Sequence, residues 1–341
     1  MAQPDQPLTD ADQVSRIAFG FMGSQALFAA LESGVFTALA EEPGDAAAVA
    51  NRIGLHPDRA ETLLTALAGL GLVAVHDGVF ANSPAAAAFL VKGVKYDFGD
   101  YLRLQVGRQM YGLMGQLVPA LTGTLPETAT ASYEQWFSDP EQARLYSESQ
   151  HAGSLGPARQ LARRLDLSGA RRMLDVGGGT GAFAITLCGA FPQLAATIVD
   201  FPNVATLGRG HVAEAGLSDR ITYVEGNALD TPWPGGQDVI LMSYLFSGVP
   251  GDAQAGLIAR AFDCLAPGGR LLIHDFVVHA DRTGPPLAAL WQLQHTAFTP
   301  EARSLDTAGL STALNGAGFV DVLIDEMIPQ MTMLATAHRP G

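Results

Sequence analysis

The feature that most constrains this chain is a run of glycines between an apolar segment and a helix. Residues 172–176 predict a buried strand, and Gly177-Gly-Gly-Thr-Gly181 follows it directly. The helix predicted over residues 182–190 begins immediately after the last glycine. Glycine lets a backbone approach a ligand closely and adopt conformations that a side chain would block. Strand, glycine loop and helix in this order predict a loop that binds a cofactor.

Short strands and helices alternate after this loop. The five predicted strands cover residues 172–176, 196–200, 221–225, 239–243 and 270–276. The alternation indicates an α/β fold in which a parallel sheet carries helices on both faces. Two later segments, residues 320–325 and 331–336, predict antiparallel strands at the edge of that sheet.

Polar residues near the loop indicate which cofactor it binds. Asp175 precedes the glycines, and Asp200 ends the next strand, where its carboxylate can bind both hydroxyls of a ribose. Asn227 follows the third strand and can hydrogen-bond an adenine edge. A dinucleotide enzyme would use a Gly-x-Gly-x-x-Gly loop, and here Ala182 stands at the last position. Alanine is sometimes accepted there, but Asn227 together with the segment 266–273 favours methyl transfer over hydride transfer.

The first hundred residues predict a separate, mainly helical module. Helices are predicted over about residues 13–39, 45–55 and 56–70, and a hairpin turns at Asp77-Gly78. This is the element order of a winged helix. The helix after His56 is poor in Lys and Arg, so a dimerisation scaffold is favoured over a DNA-binding module. A transcription regulator with a ligand-sensing domain, the alternative from another class, would need a basic helix there.

The charge of the chain disfavours nucleic acid as a partner. It carries 20 basic and 34 acidic residues, a formal net charge of −14, without a large Lys/Arg cluster. The start lacks the regions of a signal peptide, and no uninterrupted apolar stretch reaches spanning length. We therefore expect a cytoplasmic protein without a membrane partner. His274-Asp275 and His279 show no metal-ligand spacing, so we expect no metal, and Cys188 and Cys264 are expected to be buried thiols.

The sequence resembles the class I small-molecule methyltransferases of the caffeate, acetylserotonin and bacterial antibiotic type, which use S-adenosylmethionine. The resemblance covers almost the whole chain, and its most specific blocks are residues 175–181, 199–204, 219–227 and 266–273. It implies a Rossmann-like class I methyltransferase sheet preceded by a winged-helix domain that forms a homodimer. The implied parts are a dimerisation domain at 1–98, a helical linker lining the substrate pocket at 99–165 and a catalytic domain at 166–341.

The resemblance also implies which residues bind the cofactor. They are Ser154, Asp175, Gly177, Gly179, Asp200, Phe201, Asn227, Ala228 and Ser243. Many relatives carry Asp where Asn227 stands, and an amide can still pair with adenine.

The chain departs from the family at the position of the catalytic base. O-methylating relatives carry a Leu-His-Asp-Trp block after the fourth strand, with the His as base, and Ser247 occupies the position of that His here. A serine hydroxyl cannot deprotonate a phenol near neutral pH without help. Three explanations stay open: an acceptor acidic or electron-rich enough to react by positioning alone, another base among His295, Tyr244 and His151, or a different reaction.

We expect methyl transfer to the oxygen or carbon of a small aromatic or polycyclic secondary metabolite, by positioning rather than by a His base. The expected catalytic residues are His295, Tyr244 and Ser247. The residues expected to contact the acceptor are Met110, Tyr111, Tyr146, His151, Phe246 and Trp291. The alternative is an enzyme that keeps the cofactor but catalyses hydroxylation or pericyclic chemistry.

Overall fold

The structure, a computed structural model, describes residues 7–125, 133–298 and 301–341. Its described residues form two compact units, one ending at Tyr111 and one beginning at Gly112. The helical segment after Gly112 belongs to the same unit as the sheet. The expected boundaries near residues 98 and 165 stay predictions.

The first unit contains the predicted helices and hairpin. Helices begin where the sequence supplies a cap: Asp10 and Asp45 each accept a hydrogen bond from a backbone N–H in the first turn. Gly34 ends the first helix with φ 78°, a conformation that favours glycine. The elements are α1 (Ala11–Ser33), α2 (Val35–Glu41), α3 (Ala46–Ile53), α4 (Pro57–Gly69), β1 (Val73–His76), β2 (Val79–Asn82), α5 (Pro84–Phe89) and a π-helix (Tyr101–Met110).

Helix α1 is the one helix, among the residues that the structure describes, that is long and apolar enough to cross a membrane by length and composition. The helix is not an uninterrupted apolar stretch, because it contains Arg16, Ser24 and Gln25, so the expectation that no such stretch reaches spanning length is not contradicted. Only 6% of its most apolar window is buried, and Val14, Ile17 and Phe21 are each more than half exposed. One such helix is weak evidence of a membrane span, because exposed apolar surface also marks protein interfaces.

The second unit starts with helices that lead to the sheet. Asp139 accepts hydrogen bonds from the backbone N–H groups of Glu141 and Gln142, and so fixes the start of the long helix. The helices before it end in a turn at Gly123. After α6 (Tyr111–Leu113), which crosses the unit boundary, the helices are a 3-10 turn (Met114–Gln116), α7 (Leu117–Leu121), α8 (Tyr133–Ser138) and α9 (Pro140–Arg164).

A seven-stranded sheet forms the centre of this unit. Its strands are β3 (Arg172–Val176), β4 (Ala195–Asp200), β5 (Ile221–Glu225), β6 (Gln237–Ser243), β7 (Leu265–Asp275), β8 (Val320–Ile328) and β9 (Thr332–His338). The spatial order is β5-β4-β3-β6-β7-β9-β8, with the first five strands parallel. Strand β9 pairs antiparallel with both β7 and β8. Of the two late strands only β8 therefore lies at an edge of the sheet, and the expectation that both lie there was wrong for β9.

Helices cover both faces of the sheet, as predicted. Leu174 and Val176 belong to one buried cluster and Met173 to another, because successive side chains of a strand point to opposite faces. Cys188 is buried in the second cluster, whereas Cys264 is only partly buried, so the expectation of a buried thiol was wrong for it. The helices are α10 (Ala182–Ala190), α11 (Pro202–Glu214), a 3-10 turn (Phe246–Gly248), α12 (Ala253–Cys264), α13 (Pro286–Phe298) and α14 (Thr307–Gly316).

Candidate active site

The glycine loop lies at the carboxyl end of β3, where it meets α10. Gly177, Gly179 and Gly181 have φ values of 66°, 60° and 84°, which side chains rarely tolerate. The N–H of Gly177 donates to the carbonyl of Val199 at 2.8 Å and fixes the loop to the end of the next strand. The loop therefore has the shape that the sequence predicts for a cofactor cradle.

Asp175 lies beneath this loop. It is fully buried, and no side chain among the described residues donates a hydrogen bond to its carboxylate. Burial, and secondarily the charge of Asp200, raise the pKa of Asp175 to about 7. A Cβ on Gly178 would lie 2.5 Å from the Asp175 carboxyl carbon, so the loop can pass over the acid only with glycine there.

Asp200 ends β4 and is hydrogen-bonded to the loop. Its two carboxylate oxygens accept from the N–H groups of Gly179 at 2.7 Å and Phe201 at 2.8 Å. Burial raises the pKa of Asp200 to about 6, while these two hydrogen bonds lower it. A carboxylate has about four lone-pair sites, so two sites stay available for ligand hydroxyls.

Tyr223 and Gly208 support the loop from behind, and the sequence analysis missed both. The Tyr223 hydroxyl donates to the carbonyl of Gly179 at 3.1 Å. A Cβ on Gly208 would lie 1.9 Å from that hydroxyl oxygen and 3.2 Å from the Cα of Thr180. Helix α11 can approach the loop this closely only because it has a glycine at this position.

The turn after β5 carries Asn227 and Ala228. The Asn227 side-chain oxygen accepts from the N–H of Leu229 at 3.0 Å, so the amide shapes the turn. Arg260 of α12 holds the same turn, donating to the carbonyls of Ala228, Leu229 and Thr231, with its guanidinium 4.2 Å from the Trp233 ring. No sequence motif indicated Arg260, because its contacts are about thirty residues away along the chain.

Helix α9 contacts the glycine loop through His151. Its Nδ1 lies 2.8 Å from the Thr180 hydroxyl, and its ring stacks on His211 with centroids 4.0 Å apart. Burial, and secondarily His211, lower the pKa of His151 to about 4. Ser154 is half-buried three residues further along the helix. The structure thus places His151, expected near the acceptor, against the cofactor loop.

Ser243 belongs to a buried hydrogen-bonded chain across the sheet. Its hydroxyl lies 2.9 Å from His274 Nδ1, and His274 Nε2 lies 2.8 Å from the Thr332 hydroxyl on β9. Burial lowers the pKa of His274 to about 3, so its ring is neutral at physiological pH. The sequence analysis treated His274 only as a metal-ligand candidate and missed this role.

Tyr244 follows Ser243 with φ 58°, unusual for a non-glycine residue. Its ring lies 4.6 Å from that of His274 and 5.2 Å from that of Phe276, which stacks on Trp291 at 4.4 Å. Burial raises the pKa of the Tyr244 phenol, so it stays protonated at neutral pH. Tyr244, Phe276 and Trp291 therefore form an aromatic wall, and the expectation that Tyr244 is catalytic stays a prediction.

Ser247 and His295 line one cavity of about 310 Å³, to which α13 and the segment after it contribute. Both residues are buried, and His295 Nδ1 has no hydrogen-bond partner among the described residues. The N–H of Ser247 donates to the Asp275 carboxylate at 3.1 Å. Burial lowers the pKa of His295 to about 4. Phe246, expected to contact the acceptor, is 1% exposed and packs in the core beside this cavity.

Three further residues are expected to contact the acceptor: Tyr146, Met110 and Tyr111. Tyr146 belongs to an aromatic cluster with Phe137 and Phe201. The ring centroid of Phe137 lies 5.1 Å from that of Tyr146 and 5.5 Å from that of Phe201. Met110 and Tyr111 end the first unit. Within the described ranges no group of three His, Cys, Asp or Glu residues could hold a metal ion.

Known proteins resemble this chain over almost its whole length. A family model of the O-methyltransferase domain matches residues 124–320, and one of the O-methyltransferase dimerisation domain matches residues 15–92. The 3-hydroxy-5-methyl-1-naphthoate 3-O-methyltransferase of Streptomyces sahachiroi is 35% identical over 81% of this chain and 80% of its own length. The tetracenomycin polyketide synthesis 8-O-methyltransferase of Streptomyces glaucescens is 30% identical over 91% of both chains.

Solved structures agree on the fold. Human N-acetylserotonin methyltransferase in complex with S-adenosylmethionine superimposes with a TM-score of 0.86, at 24% identity over 99% of both chains. The mitomycin 7-O-methyltransferase gives a TM-score of 0.78, at 25% identity over 96% of this chain and 97% of that one. The fold is that of class I methyltransferases, and the dimerisation domain supports a homodimer. The chain belongs to the O-methyltransferase family and is an S-adenosylmethionine-dependent methyltransferase.

Proposed function

We propose that this enzyme methylates a hydroxyl oxygen on a flat aromatic or polyketide-like secondary metabolite, by positioning the acceptor rather than by a His general base. Relatives named for a hydroxynaphthoate and for tetracenomycin support this acceptor class. The observation that carries the mechanism is the Ser247 cavity, where a neutral serine hydroxyl stands in place of the family's base.

The residues at the carboxyl edge of the sheet fit S-adenosylmethionine. Gly177 and Gly179 give the bare, positive-φ backbone that lets a ligand approach, and Asp200 keeps lone pairs free for ribose hydroxyls. Asn227 and Ala228 would border the adenine, and Ser154, Phe201 and Ser243 the rest of the cofactor. Asp175, beneath the loop, would support it electrostatically.

The bound cofactor supplies a sulfonium methyl group that is open to nucleophilic displacement. The chain's own part is to place the acceptor oxygen in line with that methyl and to exclude water. Tyr244, Phe276 and Trp291 would form a flat wall for an aromatic ring. With a pKa of about 4, His295 is neutral and a weak base, so an acceptor whose hydroxyl ionises readily is favoured.

The Ser247→Ala variant tests the mechanism. Removal of a true general base lowers kcat by about 10²–10⁴-fold, and we expect a loss below about tenfold here. For two naphthols of different acidity, the pH dependence of kcat/KM should follow the pKa of each naphthol, both in the unmodified enzyme and in Ser247→Ala. His295→Gln should leave that dependence in place.

Two results would contradict the proposal. A loss above about a hundredfold in either variant would identify a base, and so would a pH limb that disappears with His295. Labelled S-adenosylmethionine that binds but transfers no methyl group to any hydroxyarene would favour an enzyme that uses the cofactor for another reaction.

We infer the oligomeric state, the location and the partners of the enzyme from its family and its charge. We propose a homodimer that acts on a small molecule in the cytoplasm. The net charge of −14 supports the expectation that neither nucleic acid nor an anionic membrane surface is a partner.

A further inference from the structure

The charge lining the Ser247 cavity is one-sided. Arg282 and Arg303 both line it, and none of its described lining residues is acidic. The lining of this cavity is therefore positively charged, although the chain as a whole has a net charge of −14. A cavity lined by charge of one sign favours a ligand of the opposite sign.

The two arginines differ in how far their charge is already neutralised. Arg282 pairs with Asp306 at 2.7 Å and donates to the Ser304 hydroxyl at 3.1 Å. Arg303 forms no salt bridge with any residue in the described ranges. Arg303 is exposed, and of the two arginines that line the cavity it is the one whose charge no carboxylate in those ranges neutralises.

The stem of Arg303 is held in place by the loop that carries Ser247. A Cβ on Gly251 would lie 2.3 Å from the Arg303 Cγ, so the stem packs directly on that glycine. The N–H of Gly251 also donates to the Glu301 carbonyl at 2.9 Å. The arginine and the Ser247 loop are therefore fixed to each other.

The same cavity contains a buried polar atom that lacks a partner. His295 is 5% exposed, and its Nδ1 has no hydrogen-bond partner in the described residues. A buried polar group costs free energy unless a hydrogen bond satisfies it. An acceptor whose hydroxyl lies near the His295 ring would satisfy this nitrogen while its carboxylate meets Arg303.

We propose that this cavity selects aromatic acceptors that carry a carboxylate, and that Arg303 binds that carboxylate. The proposal rests on the methyl-transfer function proposed above and names the charge of its substrate. Guanidinium matches a carboxylate with two parallel hydrogen bonds, which a neutral amide cannot replace. Arg303 is then a specificity-determining residue for this reaction.

The proposed role of Arg303 is tested with two probes of nearly the same shape, the anionic 3-hydroxy-1-naphthoate and the neutral 3-hydroxy-1-naphthamide. Their binding to the full-length enzyme saturated with S-adenosylhomocysteine is measured by calorimetry, so no turnover is needed. We expect the naphthoate to bind about tenfold or more tightly than the amide. Arg303→Gln should abolish that preference and leave amide binding within about twofold, and Arg303→Lys should keep part of it.

The matched control is Arg163→Gln, which removes one exposed positive charge from the last turn of α9, outside the cavity. Arg163→Gln should still bind the naphthoate more tightly than the amide. Equal binding of both probes by the unmodified enzyme would overturn the proposal, as would an equal loss of both probes in Arg303→Gln. These outcomes are separate from a failure of methyl transfer, because a carboxylate preference that persists without product formation would contradict only the proposed reaction.

Discussion

Asp200 has two roles at the scale of a single residue. It closes the glycine loop through the N–H of Gly179, and it leaves lone pairs for a ligand. The sequence predicted this residue because it ends a strand directly after the loop's own strand. The sequence could not show that burial raises its pKa to about 6, since that depends on packing from distant segments.

We predict that Asp200→Ala raises the dissociation constant of S-adenosylhomocysteine about tenfold or more, because the ribose hydroxyls lose their acceptor. In the unmodified enzyme the dissociation constant of S-adenosylhomocysteine should also rise as pH falls through about 6, because a protonated Asp200 accepts fewer hydrogen bonds from the ribose hydroxyls. Calorimetry between pH 5 and 8 would measure both effects. Asp219→Ala, at an exposed acid, is the control, and unchanged binding by Asp200→Ala would refute the assignment.

Other residues of the site lay beyond prediction for a related reason. Tyr223 and Arg260 act through hydrogen bonds to backbone carbonyls far along the chain, and nothing in their local sequence marks them. His274 was noticed as a possible metal ligand because imidazole is a common one. Its actual partners, Ser243 and Thr332, come together only through the strand order.

At the scale of elements, the bounds of most strands were predicted within about three residues, because alternation and glycine punctuation are local signals. Strand β7 begins at Leu265 rather than at the predicted residue 270. The bounds of β9 were predicted closely, but its place between β7 and β8 was not, because it depends on pairing rather than on its own residues. The close contact of α11 with the glycine loop was also not predictable. It depends on Gly208, which in the sequence is only a glycine within a helix.

Gly208→Ala should therefore destabilise the fold by about 1–3 kcal/mol, because the new methyl group would overlap the Tyr223 hydroxyl. Gly210→Ala, in the same helix with nothing within 4 Å of the added Cβ, should stabilise it by about 0.5–1 kcal/mol. Urea unfolding of both variants gives the comparison. Adding Tyr223→Phe should recover part of the loss, and equal stabilities for the two alanine variants would show that α11 does not contact the loop so closely.

At the scale of the whole molecule, the exposed side of α1 requires a partner surface. Val14, Ile17 and Phe21 would cost free energy in water, and the dimerisation-domain match begins at residue 15. A second copy of the chain explains both facts without a membrane. The sequence predicted the dimer from the winged-helix order and the resemblance, although it understated how apolar α1 is.

We predict that the double variant Ile17→Glu/Phe21→Glu dissociates the dimer, because two carboxylates would be buried at the interface. Light scattering during size-exclusion chromatography should then give a mass near the 35.7 kDa of one chain. The control Val75→Glu places one such carboxylate on an apolar residue of β1 that is about as exposed as Phe21, and it should keep the dimeric mass. A double variant that keeps the dimeric mass would mean that α1 is not the interface.

The position of β9 also has a consequence for how the chain is made. Strand β9 follows all the other strands of this sheet in the sequence, yet it lies in the interior of the finished sheet, so β7 keeps an unpaired edge until residues 332–338 have been synthesised. Until then His274 also lacks its contact with the hydroxyl of Thr332. Synthesis of this enzyme thus includes an aggregation-prone interval, and a truncation that removes residues 332–338 would leave the chain permanently within it.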